Sequence, residues 1–495
     1  MAESYQFIFI FLLILTTAVE FYLGQRQKNF VLKNKKKVPS AFTKIIKLAD
    51  HKKAADYTVS KINFNAIELI LGAIILYLLT LGGGINLLNN LINYNFNHAL
   101  EFYSLILGVT FVICIFFLVK FVVAKLIKQS SNIVQKAVKQ ANTYKKTIFY
   151  LFILVGLSIL TASGVINEIY NFLNTHFDGE LINGAFVITG VFVVLHLIGV
   201  PSSIFHTFGI ETKYGFNKAT PMLFLEDQMK YLFLLILPSV IFSFAAIWIL
   251  SELEENWWLW LWFFLCCCLV AFVALAPIFT QIFNELTPLK DKALKTKIEK
   301  LLKKCGFECD GLFVMNASLR STHGNAFFAG FGKTKRIVFF DTLLKKLNAN
   351  EIEAVIAHEL GHFKKNHIRK FLLIQIILYF LVLYIFANLK NNNDFYIALG
   401  IQTISDANFL ILFALVLLPF VMFFVSPFFK NISRRNEFEA DEYACQHANA
   451  KDMKQSLIKL YRDNASTLTP DPLYSAFYHS HPPASIRIQA IDKNK

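Results

Sequence analysis

The stretch His358-Glu359-Leu360-Gly361-His362 ends an amphipathic segment in an otherwise strongly apolar chain. In an α-helix, His358 and His362 lie one turn apart on the same face. Two neutral imidazoles at that spacing on a rigid support are a typical pair of zinc ligands. Glu359 beside them is positioned to act as a base toward an attacking water molecule. The pattern predicts a zinc-dependent hydrolytic site.

The alternative is that these side chains are ordinary surface residues of an amphipathic helix. The chain has only 12 His in 495 residues, so the pattern is uncommon by chance. Asn350 is a suitable N-cap, and Glu353 stands three residues on, at the capping-box position. An apolar stripe then leads into the motif through Ile352, Val355 and Ile356. We therefore expect a helix that begins near Asn350 and carries the motif.

The composition indicates a polytopic membrane protein. The chain is 55% hydrophobic, contains 52 Phe and is only 17% charged, which is too apolar for a soluble enzyme of this length. The net charge of +15 does not indicate nucleic-acid binding, because the basic residues collect between apolar runs, where membrane topology explains them. We expect the lipid bilayer to be a partner and nucleic acid not to be one.

Nine apolar runs have the length of a membrane span. The first follows Met-Ala-Glu-Ser, with no basic region, and is expected to be retained rather than cleaved as a signal peptide. The nine runs are residues 5–23, 64–90, 102–124, 147–166, 184–204, 231–250, 257–283, 371–390 and 407–429.

The loops between these runs predict the orientation. Those after the first and third runs are rich in Lys and Arg, whereas the alternate loops are mostly acidic. The positive-inside rule then places the N-terminus outside and the basic loops in the cytoplasm. The chain divides into N-terminal spans (1–283), a cytoplasmic catalytic segment (284–370), a membrane hairpin (371–429) and a cytoplasmic C-terminal catalytic segment (430–495).

The membrane hairpin returns the chain to the side of the motif, so the third metal ligand is expected soon after residue 429. Glu437 and Asp441 lie there, one helical turn apart. One of these acids can bind the metal while the other accepts the free N–H of a ligating histidine. The alternative is a solvated acidic helix, which fits Glu439 and Glu442 better.

Two segments before the motif predict a β-hairpin. Residues 322–330 and 336–340 are rich in β-forming side chains and flank a Gly332-Lys333-Thr334 turn. A free edge of this hairpin beside the metal could hold an extended peptide by main-chain hydrogen bonds. An ordinary packing hairpin is an equally good interpretation of the pattern.

Taken together, the motifs resemble those of the type I CAAX prenyl endopeptidases, the a-factor-converting-enzyme family of integral-membrane zinc proteases. The resemblance covers about residues 184–495. It is carried by the metal motif and by five further stretches, at 212–218, 325–328, 335–344, 433–441 and 479–483.

The resemblance implies an α-helical polytopic membrane protein with a cytoplasmic, gluzincin-like zinc protease domain that contains a small β-hairpin. It implies one Zn²⁺ per chain and a peptide or protein substrate that is prenylated or membrane-embedded. The site residues it implies are His358, His362 and Glu437 as zinc ligands, Glu359 as base, Asn325 and Ala326 as the substrate-binding edge, and His481 and Arg487 facing the reacting carbonyl or the substrate terminus.

The chain departs from the family in its number of spans. The family has seven, so residues 102–167 are expected to be an inserted pair, which preserves the sidedness of everything after them. The sequence is compatible with three functions. The first is removal of the C-terminal tripeptide of prenylated proteins, and the second is membrane-protein quality control of the HtpX type. The third, from another class, is that of a non-catalytic transporter or receptor. The expected location is the endoplasmic reticulum or the bacterial inner membrane.

Overall fold

Seven helices in the described part of the chain are long and apolar enough to cross a membrane. The structure is a computed structural model that describes residues 1–95, 175, 179–330 and 335–493. The membrane helices are α1 (Ala2–Asn34), α2 (Leu48–Leu79), α4 (Gly179–Ile204, extended by a π-helical segment to Glu211), α5 (Pro221–Glu252), α6 (Trp257–Phe283), α10 (His367–Phe386) and α13 (Leu418–His447, preceded by α12, Asp406–Leu412, and a π-helical segment, Phe413–Leu417).

The predicted runs 102–124 and 147–166 lie outside the described residues, as does the inserted pair that contains them. The predicted run 64–90 is wrong as a single helix. Helix α2 ends at Leu79, and a separate helix, α3 (Gly84–Asn95), begins after a turn. Gly83 adopts φ +76° in this turn, a backbone conformation that only glycine reaches at low cost.

A small mixed sheet precedes the motif helix. Its strands are β1 (Leu286–Pro288), β2 (Leu312–Met315), β3 (Ala326–Ala329) and β4 (Arg336–Phe340), in the order β1-β2-β4-β3. The predicted hairpin is present, since β3 and β4 pair antiparallel, but β3 begins at Ala326 rather than at residue 322. Strand β3 is at the edge of the sheet. Helix α7 (Lys292–Lys304) lies between β1 and β2 in sequence, and the short helix α8 (Asp341–Leu344) follows β4.

The motif lies in helix α9 (Ala349–Lys364), as expected, but the predicted cap is wrong by two residues. The cap is Asn348, whose side chain accepts from the Glu351 amide at 3.0 Å. The Glu351 carboxylate accepts from the Asn348 amide in return, at 2.9 Å. Asn350 and Glu353 instead contact Lys297. Since both Asn residues are followed by Glu three residues on, the local pattern alone cannot choose between them.

The short helix α11 (Asn393–Ala398) follows α10. After α13, the C-terminal segment forms α14 (Ala450–Asp463), α15 (Pro472–Tyr478) and α16 (Ala484–Lys493). One buried core joins the membrane helices, and a second joins the sheet to α7, α9 and the end of α13. A third, smaller core packs Phe42 and Ile46, between α1 and α2, against Leu457 and Ile488. The basic α1–α2 connection therefore lies against the C-terminal helices α14 and α16.

Candidate metal centre and substrate cleft

Helix α9 brings the two motif histidines together. Their Nε2 atoms are 3.2 Å apart, and His358 is only 7% exposed. The helix lies very close to α13 at Gly361, where a Cβ atom would come within 2.8 Å of the Ala440 Cα. The glycine therefore lets α13 approach the motif closely enough for its side chains to reach the histidines.

Glu437 of α13 completes a three-residue cluster, as the sequence predicted for the region after residue 429. Its carboxylate oxygens lie 3.3 Å from His362 Nε2 and 3.6 Å from His358 Nε2, and the side chain is 2% exposed. Two ligand atoms about 2.0–2.1 Å from a tetrahedral zinc ion lie about 3.3–3.4 Å from each other. The spacing and the donor set of two imidazoles and a carboxylate therefore fit zinc, and the acid that joins the two histidines in this cluster is Glu437 rather than Asp441.

Asp441 contacts His358 at Nδ1, the ring nitrogen that does not face Glu437. Its Oδ1 atom lies 2.9 Å from His358 Nδ1, so a proton on Nδ1 leaves the Nε2 lone pair free for a metal. The Arg487 guanidinium contacts Asp441 at 2.6 and 2.8 Å and Glu437 at 3.0 Å. Arg487 is 5% exposed and occupied by these carboxylates, so its predicted contact with a substrate stays a prediction.

The second histidine has an equivalent support that the sequence reasoning missed. The Nδ1 atom of His362 lies 2.9 Å from Nδ1 of His367, whose Nε2 lies 3.1 Å from a Glu439 oxygen. If His367 donates its Nε2 proton to Glu439, its Nδ1 accepts the proton of His362 Nδ1, and His362 Nε2 is left free for the metal. Glu439 is therefore not simply a solvated acid. The sequence signal for this support was His367 itself, a third histidine five residues after His362.

His367 reaches this position because the chain turns sharply between α9 and α10. Asn366 adopts φ +57°, in the left-handed region that Asn tolerates better than most residues. The turn places the first residue of α10 against the last turn of α9. The membrane helix α10 thus begins with a side chain that contacts the metal site.

The surroundings of Glu359 suit a general base. It follows His358 on α9, and burial raises the pKa of its carboxyl above the ordinary value, although the nearby imidazoles of His358 and His362 oppose the shift. A carboxylate with a raised pKa accepts a proton more readily at neutral pH.

His481 approaches the cluster from the connection between α15 and α16. Its Nδ1 atom lies 2.9 Å from a Glu437 oxygen, and its side chain is 62% exposed. The exposed ring leaves it accessible to a molecule bound beside the cluster. Its predicted contact with the reacting carbonyl stays a prediction, but the structure places it at the metal site.

Strand β3 packs against the motif helix α9 and, within the described residues, is the edge strand of the sheet. Ala326 is buried and Asn325 is exposed directly before the strand, with its carbonyl accepting from the Phe340 amide at 2.9 Å. An edge strand has unpaired main-chain groups that can bind an extended peptide. Both predicted substrate-binding residues therefore lie at one end of a free edge.

A cavity of about 570 Å³ opens beside the site. Its lining residues include His323, just before β3, and His481, between α15 and α16, together with Tyr57 and Lys61 of α2. None of these except His481 was a predicted site residue. The cavity brings the membrane helix α2 into the surroundings of the metal centre.

Two family models match the chain. The model of peptidase family M48 matches residues 288–495. The model of the CAAX prenyl protease N-terminal region, described as five membrane helices, matches residues 27–136 and 122–285. Together they cover nearly all of the described chain.

Named relatives agree with these models. A CAAX prenyl protease 1 homolog of Arabidopsis thaliana is 37% identical over 318 residues, 64% of this chain and 74% of that protein. CAAX prenyl protease 1 of Saccharomyces cerevisiae is 34% identical over 317 residues, 60% of this chain and 69% of that protein. The crystal structure of S. mikatae Ste24p shares the fold, with a TM-score of 0.73, 24% identity and 99% coverage of both chains.

The fold and the comparisons define the class: this is an integral-membrane zinc metalloendopeptidase. More particularly, the chain belongs to the CAAX prenyl protease 1 family, within peptidase family M48. The sequence-based prediction of this family is confirmed. The family supports the protease prediction over the alternative of a transporter or receptor.

Proposed function

We propose that this enzyme cleaves the C-terminal tail of prenylated, membrane-associated proteins, using His358, His362 and Glu437 as the ligands of one zinc ion. The observation that carries the proposal is the convergence of these three side chains beside Glu359, which lies on a motif helix that packs against the edge strand β3. The relatives at 32–37% identity are named CAAX prenyl proteases, which supports a substrate of that class.

In the proposed mechanism, bound zinc would acidify a water molecule and polarise the substrate carbonyl. Glu359 accepts a proton from the attacking water and delivers it to the nitrogen of the leaving amine. His481 donates a hydrogen bond to the oxygen on which negative charge develops. Asp441 and His367 hold the two ligand imidazoles in the required tautomer, and the β3 edge aligns the peptide.

We also propose that the site faces the cytoplasm. The connection between α1 and α2 carries many Lys residues, which favour the cytoplasmic side of a membrane. That connection packs on the C-terminal helices α14 and α16 through Phe42 and Ile46. It is thus at the same end of the molecule as the metal centre, which supports a cytoplasmic location.

The test uses the full-length protein, purified in detergent with zinc and supplied with a farnesylated CAAX-type peptide and its unprenylated counterpart. We expect release of the C-terminal tripeptide from the farnesylated peptide, read by mass spectrometry, and loss of that release on chelation. Glu442→Gln, at a position on α13 that contacts Gln446, is the matched control and should cleave as the wild type does. Equal cleavage of internal bonds in unprenylated membrane proteins would instead favour the quality-control function.

A further inference from the structure

The cavity beside the metal centre is lined by residues from both the C-terminal segment and a membrane helix. His481, which contacts Glu437, is one of its lining residues. Lys61 and Asn65 of α2 are others. A molecule that fills this cavity would therefore be shared between the residues at the metal centre and a lysine on a membrane helix.

The cavity lining is basic and rich in neutral polar groups. Lys61, His323 and His479 line it together with Tyr hydroxyls and side-chain amides, and no carboxylate of the described residues is among its lining residues. Glu211 contacts two of the lining residues from outside the cavity. Its carboxylate accepts a hydrogen bond from the Tyr57 hydroxyl and lies 3.4 Å from His323 Nε2. The lining therefore suits an anion rather than a cation.

Among these lining residues, Lys61 is the one whose side chain is permanently charged at neutral pH. Its Nζ atom lies 4.8 Å from the centre of the Tyr57 ring, and within the described part of the chain no carboxylate approaches it to within 4 Å. The contact with the ring holds the ammonium at the cavity without neutralising its charge. It remains available to a negative group in the cavity.

The position of the edge strand β3 indicates how a bound peptide would reach the cavity that Lys61 lines. His323, a cavity residue, lies two positions before Asn325, so a peptide bound along the β3 edge and continuing past Asn325 enters the cavity. Three extended residues beyond a cleaved bond span about 10 Å, at roughly 3.3 Å per residue. A volume of about 570 Å³ is within the range of sites that bind small organic ligands.

We propose that this cavity binds the free α-carboxylate of the substrate's C-terminal residue, with Lys61 as its principal cationic partner. The inference rests on the proposed function, because it concerns the fragment released by that reaction. A charge-assisted hydrogen bond between an ammonium and a carboxylate is stronger than a neutral one and depends on the free acid. The carboxylate would then select substrates by their true C-terminus, and its distance from the metal centre would select the bond that is cleaved.

The experiment compares two farnesylated peptides of identical sequence, one ending in the free acid and one in the amide. The full-length zinc-loaded wild type should cleave the acid with a kcat/KM about ten- to a hundred-fold higher than the amide. In Lys61→Gln the acid-to-amide ratio should fall close to one. Lys52→Gln, at an exposed position of the same helix, is the matched control and should keep the wild-type ratio. Zinc content measured on each variant verifies that the site is folded.

The outcomes separate this inference from the proposed function. Equal cleavage of acid and amide by the wild type, or an unchanged ratio in zinc-loaded Lys61→Gln, would overturn the carboxylate site and leave the protease function standing. Absence of zinc-dependent cleavage of either peptide would overturn the proposed function itself. Inhibition by the free tripeptide acid, but not by its amide, would support the site independently of turnover.

Discussion

Gly361 of the motif helix α9 packs against the backbone of Ala440 in α13, so closely that a Cβ atom at position 361 would lie 2.8 Å from the Ala440 Cα. The two helices that carry the proposed metal ligands are therefore in contact through a residue without a side chain. The histidines lie on α9 and Glu437 lies on α13. The close approach of these helices at Gly361 therefore determines whether Glu437 can reach the histidines.

Gly361→Ala is expected to separate the two helices. Overpacking a close contact of this kind costs about 1–3 kcal/mol, and the displacement should weaken zinc binding as well as stability. Thermal unfolding and zinc titration of the purified variant measure the two effects. Gly199→Ala, at a helical position with no atom within 4 Å of the added Cβ, is the control and should leave both unchanged. Wild-type zinc affinity in Gly361→Ala would show that the close packing is not needed for the site.

Glu437→Ala should lose most of its zinc, because the carboxylate lies between the two histidines and Arg487 would then add an uncompensated positive charge there. Elemental analysis after dialysis against a weak chelator measures the loss. Glu442→Ala, five residues further along the same helix, should retain one zinc per chain. Stoichiometric zinc in Glu437→Ala would remove this residue from the ligand set.

His367→Phe and Glu439→Gln should each weaken zinc binding about 10–100-fold, since they remove the partner that orients His362. Competition with a chelating dye measures the affinity. At saturating zinc, kcat should recover toward the wild-type value, which distinguishes a positioning role from a role in the reaction. Unchanged affinity in both variants would mean that His362 needs no such support.

Glu359→Gln should retain zinc and lose turnover. The amide keeps the shape of the side chain but cannot accept the proton of the attacking water, so cleavage should fall by roughly two to four orders of magnitude. Zinc content and peptide cleavage are measured on the same preparation. Wild-type cleavage would contradict the proposed base, whereas loss of zinc would give Glu359 a structural role instead.

The inserted pair of spans predicted at residues 102–167 can be tested by labelling. A cysteine in place of Lys136, in the basic stretch between the two apolar runs, should react with an impermeant reagent from the same side as a cysteine in place of exposed Lys345. Intact and opened vesicles distinguish the two sides. Reaction from opposite sides would contradict the nine-span topology.

Local sequence was sufficient for the features that depend on local physics. The spacing of His358 and His362 requires only an α-helix, and the apolar runs require only a bilayer, so both could be predicted from residues near one another in the chain. The position of the third ligand was also predictable, because an antiparallel membrane hairpin must return the chain to the side it left. Within that region the one-turn spacing favoured Glu437 and Asp441 over Glu439 and Glu442, and the family resemblance implied Glu437 as the ligand.

Tertiary structure alone decided the contacts between residues far apart in sequence. Asn348 rather than Asn350 caps α9, where Glu351 also meets Lys459 at 2.6 Å in a contact that no local pattern contains. The support of His362 by His367 depends on the turn at Asn366 and on α13 lying alongside, and the cavity that contains Lys61 is formed only when α2 packs beside the catalytic segments. Periodicity along the chain reports which face of a helix is buried, but not which other helix covers it, because that choice depends on the packing of the whole molecule.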